Sequence, residues 1–170
     1  AYIEFISADS NGDFAQNFLD SMARQVRHLR RAGRFVPDEI DSIAVTKALI
    51  YASVCLPNNI RFLPRHLKAI AKISARQILP DGGHINRNPV SQMQALRHMI
   101  DIQSFLHKES NLVPENLKLA IGRATPMLNF FRHGDGGFAL FNGSTESNPE
   151  FIDAILAKAE APNNPLASAI

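Results

Sequence analysis

Apolar residues recur along this chain at the three- and four-residue spacing of amphipathic helices. Six segments carry the pattern, at residues 14–29, 40–52, 63–78, 90–100, 117–131 and 151–156. The segment at 40–52 is apolar on nearly every side, which predicts an inner helix. Prolines stand where these helices should begin, and the intervals between Pro37, Pro64, Pro89 and Pro114 are 27, 25 and 25 residues. Each interval holds one helix and one loop, so the pattern predicts stacked helical hairpins.

Strand signals are confined to Phe138–Phe141, which glycine and asparagine bracket, and they predict one short β-hairpin. The predicted fold class is therefore all-α. Stacked hairpins form either an open solenoid or a closed α/α toroid. The units share little sequence and are joined by long polar turns, which favours the toroid. We expect residues 1–160 to form this one domain and residues 161–170 to be a linker or tail.

Composition limits the partners. With 170 residues and 45% hydrophobic content the chain can bury a core, and it has no apolar run long enough for a membrane span. Residues 24–76 hold eleven Lys or Arg and only three acids. Two basic stripes result, the first at Arg24, Arg27, His28 and Arg31, the second at Arg61, Arg65, Lys68, Lys72 and Arg76. They indicate either an anionic partner or two solvated helix faces; few aromatic residues accompany them to stack bases, so nucleic acid is not favoured.

Two polar turns interrupt the helical pattern. The first, residues 76–92, presents His84, Asn86, Arg87, Asn88 and Gln92, and the second, residues 130–144, presents Arg132 and His133. Both turns follow odd-numbered helices, the third and the fifth. Because hairpin stacking alternates the ends of helices, both turns are predicted to lie at the same end and to share one cleft.

The first turn, Ala75–Pro89 with its Pro-Asp-Gly-Gly-His core, and the second, Phe130–Gly143, resemble the helical domain of heparinase II/III-like proteins of bacteria; the segment at 24–29 fits its early helix. Members join an α/α toroid to a C-terminal β-sandwich, and the characterised ones are lyases that cleave acidic polysaccharides by β-elimination. The resemblance implies a longer protein whose sandwich lies outside these residues.

β-Elimination on a uronate requires a group that neutralises the carboxylate, a base and an acid. The resemblance places His84 first, or Asn86, at the position of the neutralising group; His133 is the candidate base, and Arg24, Arg87, Asn88, Gln92 and Arg132 are the expected substrate contacts. His84 and Asn88 are alternatively turn and cap residues. Lyases of this type commonly use a tyrosine, yet the two tyrosines, Tyr2 and Tyr51, lie outside the turns. Two alternatives follow: the β-sandwich supplies the missing catalytic residue, or the protein binds polysaccharide without cleaving it.

Other chemistries have weaker signals. Asp81 and Asp135 are the candidate acid pair of a glycoside hydrolase, and a helical interaction scaffold is a third possibility. The chain has neither HExxH nor CxxC, and its glycines are not followed by the Lys-Ser/Thr of a phosphate loop, so no metal or cofactor is predicted for these residues. The expected partner is an acidic polysaccharide.

Overall fold

Helices dominate the computed structural model, which describes residues 13–33, 35–36 and 40–160. The described helices are α1 (Asp13–Ala32), α2 (Ile40–Cys55), α3 (Leu63–Gln77), α4 (Pro89–Glu109), α5 (Glu115–Phe130) and α6 (Pro149–Glu160), with a 3₁₀ turn at Ile60–Phe62. The part of the chain that is described contains no strand, so the all-α prediction is confirmed. Pro37 and the predicted tail at 161–170 lie outside the described residues.

Proline and asparagine set the helix starts that border the polar turns. Pro89 and Pro149 are the first residues of α4 and α6, where a missing N–H leaves no helical hydrogen bond unmade. Asn88 caps α4, because its Oδ1 accepts a 2.9 Å hydrogen bond from the Ser91 N–H. The alternative interpretation of Asn88 as a cap residue is thus correct.

The core lies where α4 meets three other helices. This helix packs against α2, α5 and α6, while α3 packs against α2 and α5, and α1 covers α2. Within α2 to α6 the largest fully buried side chains are apolar: Ile43, Ile50, Ile70, Leu96, Met99, Ile102, Leu106, Leu117, Leu128 and Ile152. Burial of this apolar surface holds the helices together.

The predicted β-hairpin is not seen in the described residues, where single antiparallel bridges join Ile78 to His84 and Arg132 to Phe138. Phe138 is buried in the core, and the next residue donates from the Ala139 N–H to the carbonyl of Phe131 at 2.9 Å. Asn142 then adopts a left-handed φ of 49°, which turns the chain away. This segment therefore returns to a helix end and does not pair with a second strand.

None of the helices within residues 13–33 and 40–160 combines the length and apolar character that crossing a bilayer requires, in agreement with the sequence prediction.

Candidate functional site

Both polar turns lie at one end of the helices and touch each other. Turn A (residues 78–88) follows α3, and turn B (residues 132–143) follows α5. The Asn88 side-chain amide donates a 2.8 Å hydrogen bond to the Asn142 carbonyl, and the Asn142 amide donates a 2.9 Å bond to the Arg87 carbonyl. The predicted placement at a common end is confirmed. The sequence interpretation missed Asn142, although an asparagine at matching positions in the two turns was a visible signal.

The two turns are closed by the same set of backbone hydrogen bonds. In turn A, Leu79 N–H donates to Gly83 O at 2.9 Å; in turn B, His133 N–H donates to Gly137 O at 2.9 Å. The first glycine of each Gly-Gly pair is left-handed, with φ of +86° at Gly82 and +85° at Gly136. The turns are therefore two copies of one Asp-Gly-Gly structure.

Aspartate closes each copy through its side chain. The Asp81 carboxylate accepts from the Gly83 N–H at 3.0 Å, and Asp135 accepts from the Gly137 N–H at 2.9 Å. Asp81 also forms an ion pair with Arg87 at 2.6 Å, and this hydrogen bond holds the pKa of the Asp81 carboxyl below its usual value. Both carboxylates are thus used to close their turns, and the lowered pKa of Asp81 disfavours it as the proton-donating acid of a glycoside hydrolase.

His84 lies in the interior and serves turn A. The side chain is fully buried: its Nδ1 accepts from the Asn86 N–H at 3.2 Å, and Nε2 lies 3.4 Å from Gln77 Oε1. Burial lowers the pKa of His84 to about 4, which keeps the ring neutral at neutral pH. A polymer has no contact with such a ring, so the structure opposes His84 as the carboxylate-neutralising group and agrees with the alternative interpretation as a turn residue.

Gln92 is likewise a structural residue rather than a substrate contact. It is fully buried on α4, its Oε1 accepts from the His84 N–H, and its Nε2 donates to Gly82 O at 2.8 Å and Ala124 O at 3.1 Å. Its amide thus connects α4, turn A and α5. Because every polar atom of the side chain is used inside the fold, the prediction that Gln92 binds substrate is not supported.

Asn86, Arg87 and His133 remain exposed on the surface of the joined turns, and Asn88 is half-buried. A cleft of about 590 Å³ adjoins turn B and is lined by His133, Asp135, Phe138, Leu140, Glu146 and Ser147. Asp135 and Glu146 add negative charge beside His133, which disfavours a carboxylate ligand in that cleft. The structure therefore brings His133 to the common end and places two acids in the same cleft. No residue of turn A lines this cleft, so the predicted cleft shared by both turns is not seen among the described residues.

Arg132 is engaged by its own surroundings. Its guanidinium pairs with Asp153 of α6 at 2.7 Å, and its Nε donates to the Gly136 carbonyl at 3.3 Å. These contacts join turn B to α6 and position the turn; the substrate contact expected at Arg132 stays a prediction.

Arg24 is exposed on α1 and is not part of the turn surface. The same helix is anchored at its Arg30, which donates to Asn59 Oδ1 at 3.2 Å in the connection between α2 and α3. That connection lies at the opposite end of α3 from turn A.

Tyr51 contacts α4 and not the turns, because its hydroxyl donates a 3.2 Å hydrogen bond to the Asp101 carbonyl. Burial, and then the negative charge of Asp101, raises the pKa of Tyr51. Tyr2 lies outside the described residues.

The second basic stripe forms a continuous exposed face on α3 and the turn before it. Its five members, Arg61, Arg65, Lys68, Lys72 and Arg76, are all exposed. Residues 42–80 contain no aspartate or glutamate. Among the described residues, the first four members have no ion-pair partner. These four residues therefore form a cationic surface without ion-pair partners in the described part of the chain.

The described residues contain no group of three or more His, Cys, Asp or Glu side chains placed to hold a metal ion.

Comparison with known proteins finds no match: no protein-family model, curated protein or solved structure matches the chain.

Proposed function

We propose that this chain is the helical part of a protein that binds an acidic, uronate-containing polysaccharide along the second basic stripe. The observation that carries the proposal is the exposed row of five cations on a segment without acids. From Arg61 to Arg76 a helix rises about 22 Å, so the stripe suits an extended polyanion better than a single sugar. Counter-charges on a polymer would offset the charges of the first four members, which have no ion-pair partner among the described residues.

The stripe runs toward turn A, where the exposed donors are of a different kind. The α3 helix ends at Gln77, and turn A then presents the amide of Asn86 and the guanidinium of Arg87. Amide and guanidinium N–H groups donate hydrogen bonds to carboxylates and sugar hydroxyls. We therefore assign the stripe to charge attraction and the turn surface to hydrogen bonding of the sugar units.

A polysaccharide lyase is the second candidate. In it, Asn86 neutralises the uronate carboxylate and His133 removes the proton, because both are exposed at the common end of the helices. The acids beside His133, and the absence of tyrosine from both described turns, favour binding over cleavage. The proposal extends to the architecture: the helices belong to an α/α toroid of the heparinase II/III-like type, completed by a C-terminal β-sandwich.

Binding is tested by measuring affinity for a uronate polymer over a series of salt concentrations. The double variant Lys68→Gln/Lys72→Gln is expected to bind about tenfold more weakly and with a shallower salt dependence, because two exposed charge contacts are lost. The matched control is Lys108→Gln/Lys118→Gln, which removes two exposed lysines from α4 and α5. Equal loss in the control, or affinity indifferent to salt, would remove the stripe from the function.

Catalysis is tested by the product. A lyase releases unsaturated uronide ends that absorb in the ultraviolet, whereas a binding protein releases none. If product forms, Asn86→Ala should reduce turnover by ~10²–10³ while polymer binding largely survives, because the carboxylate-neutralising donor acts mainly in the transition state. Unchanged turnover in this variant would exclude Asn86 from the role.

A further inference from the structure

A pocket separate from the turns lies between α1, α2 and α3. Its volume is about 190 Å³, and its polar lining includes Arg30 of α1 together with Arg65 and His66 of α3. Val45, Leu49 and Ile73 supply an apolar wall. The pocket is therefore small, narrow and cationic, with room for a compact chemical group.

Both arginines lack a carboxylate partner among the described residues. The Arg30 guanidinium lies 3.9 Å from the centre of the Phe62 ring and donates to Asn59, and its Nε is buried without a hydrogen-bond partner. Arg65 is exposed at the mouth. Two cations and one unused buried donor around a cavity leave positive charge that an anion would offset.

His66 supplies a third donor from the floor. It is buried, at 6% exposure, with Nδ1 2.9 Å from Ser53 Oγ. The Ser53 hydroxyl donates its only proton to the Leu49 carbonyl at 2.7 Å, so Nδ1 of the ring carries the hydrogen in their shared bond. Nε2 then has no protein partner among the described hydrogen bonds. Once protonated, Nε2 is a donor for a ligand.

We propose that this pocket binds a compact oxyanion, a carboxylate, sulfate or phosphate group, between Arg30, Arg65 and His66. The ligand is either a free anion or such a group carried by a polymer on the second basic stripe, since Arg65 belongs to both surfaces. The site does not depend on the turns or on the proposed polysaccharide function, because its donors lie on α1 and α3.

The behaviour of His66 provides the readout. Burial and then the charges of Arg30 and Arg65 lower its pKa, and the residues of α2 that contact the ring, Ser53 and Leu49, carry no charge. An anion in the pocket favours the protonated ring, so it should raise the pKa of His66. Chloride at the same ionic strength controls for general screening.

The experiment is a nuclear magnetic resonance titration of the His66 ring with inorganic sulfate or phosphate at constant ionic strength. We expect a saturable shift and a raised pKa, and about tenfold weaker binding in Arg65→Gln, which loses a charge-assisted contact. Lys108→Gln, which removes an exposed lysine of α4 outside both the pocket and the second basic stripe, is the matched control and should bind normally. Circular dichroism verifies that both variants are folded.

A uronate oligosaccharide with and without sulfate distinguishes the two sources. A shift with inorganic sulfate alone assigns the pocket to free anions, and a shift only with the oligosaccharide assigns it to polymer-borne groups. Either result supports the site. No saturable shift with any of these ligands, or equal weakening by Lys108→Gln and Arg65→Gln, would overturn it.

Discussion

Gly82 holds turn A against α5 through its main chain. Its φ of +86° is left-handed, and a β-carbon at this position would overlap the Arg123 carbonyl oxygen. Gly82→Ala should therefore lower the free energy of unfolding by about 3 kcal/mol, since backbone strain and steric overlap add. Urea unfolding followed by circular dichroism measures the loss.

The control is Gly122→Ala on the exposed side of α5. A β-carbon at Gly122 would meet no heavy atom within 4 Å apart from the backbone of its own helix. Alanine also has a higher helix propensity than glycine. We expect a gain of about 0.5–1 kcal/mol. If both alanines destabilised the protein equally, the close approach of turn A to α5 would not be the cause.

The buried imidazole of His84 makes stability depend on pH. Its folded pKa of about 4 lies below the ordinary 6.5, so the unfolded chain binds a proton more readily in that window. Stability is complete above pH 6.5 and falls as the pH drops toward 4. Because of His84, the free energy of unfolding should fall by about 2 kcal/mol between about pH 7 and pH 5. Urea unfolding at each pH measures this loss.

Turn B suggests the matching variant, because Phe138 occupies the place that His84 has in turn A. His84→Phe should fold and should flatten the acid slope by the contribution of one histidine. Part of the remaining slope belongs to His98, because burial and then Lys47 and Arg97 lower its pKa to about 4 as well. An acid slope unchanged in His84→Phe would contradict this account.

At the scale of elements, Asn142 joins the two turns. It is left-handed, with φ of 49°, and its amide donates to the Arg87 carbonyl. Asn142→Gly keeps the backbone conformation and removes the bond, which should cost about 1 kcal/mol of unfolding free energy; Asn142→Ala should cost about 1 kcal/mol more through strain. Thermal unfolding compares the two variants.

Asn111→Gly provides the comparison for this pair. Asn111 is also left-handed, with φ of 53°, but it is exposed and its side chain makes no hydrogen bond among those described. Glycine there should be neutral or slightly stabilising. A loss at Asn111 as large as at Asn142 would mean that the bond between the turns contributes nothing.

The helices and the position of the turns were predictable because their causes are local. Proline at a helix start and apolar spacing act within a few residues, and the alternation of helix direction placed both turns at one end. Burial of His84 and Gln92 was not predictable in the same way. The Gln92 amide donates hydrogen bonds to the carbonyls of Gly82 and Ala124, which are 10 and 32 residues away. The residues next to Gln92 in the sequence do not indicate such distant partners. A polar side chain used by the fold resembles one offered to a ligand.

At the scale of the whole molecule, Asp101 of α4 links three helices. Its carboxylate contacts Lys47 of α2 at 3.2 Å and Lys158 of α6 at 3.1 Å. Burial acts to raise the pKa of Asp101, but the hydrogen bonds from Lys158 and Lys47 outweigh it and leave the pKa below the ordinary 3.8. The charged form is therefore stabilised in the folded protein, and that stability is lost as the pH falls through the folded pKa.

Asp101→Asn should lower the free energy of unfolding by about 1–2 kcal/mol at neutral pH, because the half-buried Lys47 and the exposed Lys158 both lose their partner. The difference from the wild type should vanish in strong acid, where the native carboxyl is protonated too. Glu115→Gln is the control: its pair with Lys118 is exposed, and about 0.5 kcal/mol or less is expected. Urea unfolding over a range of pH measures the difference in unfolding free energy between the variant and the wild type. A difference that persists in acid would mean that packing, and not charge, causes the loss.

The hydrogen bonds between the turns join residues that are 54 and 55 positions apart. Contacts over such separations close late in folding, after the local helices and the α4–α5 pair have formed, because closure of a long loop costs chain entropy. Opening of this junction should then precede global unfolding, and amide hydrogens of both turns should exchange before those of α4. A ligand that contacts both turns at once would therefore bind only fully folded chains, because the two turns come together last.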